Sequence, residues 1–205
     1  MIENDLFTVL LRDVSESRSR LISDNTDAGR RDLVRTVFAA IDGIAYLYRE
    51  FVRDASREIG MLSAEEEHVL QEKSYFVNDR GKIVSQQRYL PTSATIRLAS
   101  HIAARANPRL AIDFETEAWN RFNLSMRVRN RITHPKSIED MKVSDSDLEN
   151  CLIGFYWLLE SVLSGMEASI HAMRDYKSDL SQVLKQLEEG DPDTWAEYQS
   201  ALSSS

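Results

Sequence analysis

Several residues near the middle of the chain have side chains suited to handling a phosphate. In the stretch SMRVRNRITHPKS (125–137), Arg127, Arg129 and Arg131 alternate with apolar residues, Asn130 lies among them, and His134 precedes Pro135. A guanidinium grips phosphate through a planar fork and stabilises charge gathering on its oxygens. A histidine near its ordinary pKa of ~6.5 moves protons at neutral pH. An asparagine can orient either the ring or the phosphate. Together these groups suit attack by an RNA 2′-hydroxyl on its own phosphate, a reaction that requires no metal.

Helical spacing decides which of them meet. Residues four apart share a face, so Asn130 and His134 come together, with Arg127 on the same stripe. Arg129 lies about 140° round the axis from His134. It joins the histidine only if the helix end loosens before Pro135, or if a second subunit brings it across. Basic residues and histidine near a last turn also cap a helix and complement its dipole without further function. On the residues alone both readings stand.

The charge around this stretch is uneven. The chain carries a formal net charge of −8, which speaks against loose, non-specific nucleic-acid binding. Residues 80–136, however, hold eleven basic residues, nine of them arginine, against three acids. Between 121 and 136 the basic residues are Arg121, Arg127, Arg129, Arg131 and Lys136, with no acid among them. Arg121, Arg127, Arg131 and Lys136 are therefore candidate RNA contacts. Pairing with acidic helices on either side is the competing use of such a block.

Other chemistries lack their residues. There is no Gly-rich phosphate loop, no Gly-x-Ser-x-Gly and no His-Glu-x-x-His. His68, His101 and His171 read as surface or packing histidines, and no pair of histidines has metal-ligand spacing. The single cysteine, Cys151, precedes LIGFYWLLE and reads as a small core residue. No metal or cofactor is expected.

The elements that must position the site read as helices. With 205 residues, 7 glycines, 4 prolines and 28% charged residues, the composition suits one soluble, helix-rich domain. No apolar run approaches the ~20 residues of a membrane span. The N-terminus, MIENDLFTVLLRD, lacks the form of a secretion signal. A cytoplasmic protein without membrane association is expected.

The periodicity predicts helices over 2–23 and roughly 27–60, and a capped start at Ser63 before three glutamates. A hairpin or ordered loop is predicted near 75–91, turning at 78–81. A helix follows with Thr92 or Ser93 as its cap, ending at Asn107-Pro108. The motif helix spans 113–133 and stops before Pro135. A long apolar helix follows from 144, then a tail from about 178 with a further helix. Trp119, Phe122, Phe155, Tyr156 and Trp157 are core candidates. The fold class is all-α, an antiparallel bundle of about five to seven helices.

The segment RNRITHP resembles the signature of the HEPN superfamily: an arginine, a polar residue that is often asparagine, and then a histidine, at the end of a helix in a helical bundle. The signature leaves four to six residues between the arginine and the histidine: Arg129, Asn130 and His134 match with four. Arg127 falls within range with six, but is followed by Val128 rather than a polar residue. The order of helices is similar too, and the resemblance covers roughly residues 27–175. The N-terminal helix, the stretch at 75–91 and the acidic tail (178–205) depart from it.

The resemblance implies a metal-independent endoribonuclease, commonly a homodimer whose two motifs share one cleft. Such proteins often serve as a toxin or antiviral-defence effector, with a separate antitoxin or regulatory protein. It assigns general acid–base catalysis to His134, phosphate binding to Arg129 and an assisting role to Asn130. It also implies an alternative, since other members are non-catalytic and bind RNA, nucleotide or a partner protein.

Overall fold

A computed structural model of the chain describes residues 5–203; the predicted start of the first helix at Ile2 lies outside them. So do some side chains beyond residue 167, including that of His171. The fold is a helical bundle with one short hairpin. The helices are α1 (Leu6–Ser23), α2 (Asp27–Glu58), α3 (Ala64–Leu70), α4 (Thr92–Ala106), α5 (Glu117–Thr133), α6 (Asp145–Glu188) and α7 (Pro192–Ser203). Strands β1 (Lys73–Val77) and β2 (Ile83–Gln87) pair antiparallel between α3 and α4. No described helix is long and apolar enough to cross a membrane.

Local chemistry explains most of the boundaries. Asp5, Thr26, Ser63 and Thr116 each accept a backbone N–H in the first turn of the helix that follows. Ser63 and Glu66 complete the reciprocal capping box. Gly81 turns the hairpin at φ +70°, a conformation costly for a residue with a Cβ.

Three expectations needed correction. Neither Thr92 nor Ser93 caps α4, whose N-cap is Pro91. The Thr92 hydroxyl instead donates to Asp42 Oδ1 of α2 at 2.6 Å. The motif helix begins at Glu117 rather than 113, because Thr116 supplies the cap. The long apolar helix runs on to Glu188, through the start of the stretch read as a tail from about 178, since no glycine or proline lies between Gly165 and Gly190. There the chain turns at φ +76°, and Asp191 caps α7 through the Thr194 N–H at 2.9 Å.

The described chain forms two compact units, up to Met166 and from Glu167 onward. The core of the first is α2, with Leu33, Val34, Val37, Ile41, Ile44 and Tyr48 buried along one stripe. Helices α1, α4 and α5 pack against it. Helices α5 and α6 approach closely where Gly154 faces Phe122; a Cβ on Gly154 would lie 2.7 Å from the Phe122 Cα. Around this crossing Trp119 stacks on Phe122, and Trp157 packs against both. Phe155 is buried as expected, whereas Tyr156 is exposed, with its hydroxyl accepting from Arg18 at 3.3 Å. Tyr156 lies about 100° round the helix from Phe155, off the buried stripe. Burial pushes the Cys151 thiol up to about 12, as befits a core side chain.

Candidate functional site

Helix α5 carries the motif and stays regular to its last residue. Thr133 is helical; His134 is the C-cap at φ −125°, ψ 59°, and its N–H still donates to the Asn130 carbonyl at 3.0 Å. The Thr133 hydroxyl donates to the Arg129 carbonyl at 2.7 Å, and Arg35 of α2 donates to the Ile132 carbonyl at 3.4 Å. Two of the carbonyls orphaned at this helix end, those of Asn130 and Ile132, thereby find donors, and Pro135 prevents continuation.

The loop after the motif is held just as firmly. Asp140 Oδ2 accepts the backbone N–H groups of Lys136 at 2.8 Å and Ser137 at 3.0 Å. The Lys136 N–H above all holds the Asp140 carboxyl below the usual carboxylate range. Arg31 and Arg30 of α2 donate to the carbonyls of Met141 and Val143, each at 3.2 Å.

The basic residues divide into two groups. Arg131 donates to the carbonyls of Asp140 and Lys142 and to Asp147 Oδ2, the last at 2.7 Å, tying α5 to the start of α6. Arg121 pairs with Glu117 at 3.2 Å and Glu149 at 3.3 Å. Arg105 pairs with Glu66, and Arg97 lies over the rings of Phe114 and Trp119. Acids and aromatics from elsewhere thus supply the partners that the local sequence lacks. Among the described residues, the side chains of Arg80, Lys82, Arg88, Arg109, Arg127 and Lys136 make no hydrogen bond or ion pair.

Arg129 belongs to neither group entirely. It donates to Asn130 Oδ1 at 3.1 Å and lies 3.6 Å from Asp42 Oδ2. Arg129 and Asn130 together line a cleft of ≈ 570 Å³ that also exposes Asp42, Tyr46, Arg49, Glu72, Tyr89 and Thr92. At its floor Arg49 is buried, neutralised by Glu50 at 3.3 Å and Glu72 at 2.9 Å, with its guanidinium 5.0 Å from the Tyr46 ring. Arg129 is therefore the cation best placed to receive an incoming anion, which would displace Asp42 as its partner.

His134 does not line this cleft. It and Arg127 are exposed at the same helix end, and neither side chain has a partner among the described residues. Arg129 and Asn130 thus line the cleft together, while His134 and Arg127 are exposed and are not part of its lining. His68 and His101 lie at the surface; the His68 ring meets Tyr75 edge-on at 5.2 Å. Among the described residues, no three His, Cys, Asp or Glu side chains gather in a way that could hold a metal ion.

Comparison with protein-family models, curated proteins and solved structures gave no match to this chain.

Asp42, Arg49 and Glu72 escaped the sequence reading. Asp42 carried a signal, as an acid inside the apolar helix AAIDGIAYLY. Glu72 carried none, because its role depends on a left-handed backbone at φ +54° between α3 and β1.

Proposed function

We propose that the protein is a metal-independent endoribonuclease of the HEPN type, acting as a toxin or defence effector. The observation that carries this reading is the Arg129–Asn130 pair at the mouth of a cleft, on the last turn of a helix that His134 caps. Arg129 binds and stabilises the scissile phosphate, Asn130 orients it, and His134 moves the proton between the 2′-hydroxyl and the leaving oxygen. Arg127 and Lys136, with unoccupied side chains, contact the RNA backbone. Arg131 holds the helix end that carries the site, and Arg121, paired with Glu117 and Glu149, sits near the start of the same helix.

His134 is not among the residues that line the cleft, which bears on how the site is completed. A homodimer that brings the motif ends together supplies His134 of one subunit to Arg129 of the other. A twofold arrangement would make two such composite sites. The protein as proposed works in the cytoplasm, with an RNA substrate and a separate antitoxin or regulatory protein.

The same placement of His134 favours a second reading, a non-catalytic HEPN-like module that binds RNA, nucleotide or a partner protein through the cleft and the free cations. Incubation of the purified protein with tRNA in the presence and absence of EDTA distinguishes the two. The ribonuclease reading predicts cleavage at equal rates in both, leaving 2′,3′-cyclic phosphate ends. Binding without products supports the module, and cleavage abolished by EDTA contradicts the metal-independent mechanism.

A further inference from the structure

The β1–β2 hairpin stands out from the helices as a ribbon with both edges unpaired and most of both strands exposed. By alternation and register, Lys73, Tyr75, Val77, Ile83, Ser85 and Gln87 share one face. On that face Tyr75 is 49%, Val77 67% and Ile83 76% exposed. An isolated two-stranded ribbon is marginal in water, but its base is anchored. Glu72 accepts the Arg88 N–H on its carbonyl at 2.7 Å and the Leu90 N–H on its carboxylate at 2.9 Å, while Arg49 grips the same side chain. The fold therefore holds out an apolar, aromatic ribbon that packing alone does not explain.

Its charge indicates what it meets. The hairpin and its flank carry Lys73, Arg80, Lys82 and Arg88 against the single acid Asp79, and none of these cations has an ion-pair partner among the described residues. A second copy would bring the like charges of the turn and flank, Arg80, Lys82 and Arg88, toward one another, which disfavours it. An anionic chain with planar groups to stack fits both the charge and the aromatics. Continuity adds to this: Tyr89, two residues beyond β2 and 78% exposed, lines the same cleft as Arg129 and Asn130.

We infer that this hairpin is a base-stacking arm that holds single-stranded RNA on Tyr75 and Tyr89 and leads it into the cleft at Arg129. The inference rests on the ribonuclease reading above. Arg80, Lys82 and Arg88 track the phosphates, and the stacking is tolerant of sequence because every base offers a π-face. Duplex RNA, whose bases already stack on one another, binds the arm less well.

The test is fluorescence anisotropy with labelled short oligouridine, on a His134→Ala background so that the probe survives. Light scattering and circular dichroism accompany each variant. The Tyr75→Ser/Tyr89→Ser double variant is expected to bind at least ~10-fold more weakly, with the helical spectrum and oligomeric state unchanged. Arg80→Glu/Lys82→Glu, altered at the exposed turn, is expected to weaken binding and flatten its dependence on salt. Oligouridine bound equally by the parent and by both double variants overturns the arm and leaves the ribonuclease reading standing. A change of oligomeric state with RNA affinity unchanged overturns it in favour of a second copy as the occupant. A parent protein that binds no oligouridine overturns both readings.

Discussion

The Arg129 guanidinium lies 3.6 Å from the Asp42 carboxylate, longer than the 2.7 Å between Arg131 and Asp147 a few residues along the same helix. Asp42 holds a second partner, the Thr92 hydroxyl at 2.6 Å, and its side chain is 43% exposed. A pair this open is weakly held, so a phosphate can replace the carboxylate. Removing Asp42 should therefore favour RNA. Asp42→Ala is expected to tighten binding of a non-cleavable RNA by about 3- to 10-fold at low salt, with the gain shrinking as salt rises. Anisotropy titrations at two salt concentrations read this out. Unchanged affinity would mean that Asp42 does not compete for Arg129.

The placement of His134 outside the cleft lining predicts complementation between inactive variants. If each site combines Arg129 of one subunit with His134 of the other, an Arg129→Ala/His134→Ala heterodimer keeps one intact site of its two. Mixing and reassembling the two inactive variants in equal amounts should restore activity to roughly a quarter of wild type, since about half the dimers are mixed. Completion of the site within one chain restores nothing, and tRNA cleavage by the mixture decides between them.

Gly154 is where α6 comes closest to α5. A Cβ there would sit 2.7 Å from backbone, the Phe122 Cα, so no side-chain rotation relieves the clash. Gly154→Ala should lower stability by about 1–3 kcal/mol, measured by urea denaturation. A variant as stable as wild type would show that the two helices readily shift apart.

The Asp140 carboxylate orders the loop after the motif, and its folded pKa lies below the ordinary value. A depressed carboxyl contributes stability that is fully present above the unfolded pKa of ~3.9 and is lost as pH falls through the folded value. Asp140→Asn should thus melt below wild type from about pH 5 upward, with the gap closing below about pH 4 as the wild-type carboxyl protonates. Thermal melts of both proteins across that range check this. A gap that persists undiminished in acid would place the effect elsewhere than in the charge.

Local rules made much of this molecule legible from its sequence. The Ser63 capping box, the hairpin turn at Gly81 and the stop at Pro135 each follow from a few neighbouring residues, and each is where the sequence places it. Contacts between distant segments were not legible. Thr92 is a sound cap by type, but Asp42, fifty residues earlier, takes its hydroxyl. Periodicity alone could not show that the packing of α5 on α2 turns Arg129 and Asn130 into a cleft whose other wall comes from α2 and the base of the hairpin. The charge block read as a single basic region; in the folded chain Arg105, Arg121 and Arg131 are paired, and the free cations gather on the hairpin and around the end of α5.

If Arg129 and His134 act together on RNA, removing either abolishes cleavage. Wild type, Arg129→Ala and His134→Ala are incubated with total RNA under identical conditions, and circular dichroism confirms that all three are folded. Loss of a general acid–base or of a phosphate clamp costs about 10²–10⁴ in rate. Wild type is expected to cleave, and each variant to lose at least about 100-fold in rate with the helical spectrum retained. Undiminished cleavage by both folded variants would rule out a joint action of Arg129 and His134 on RNA.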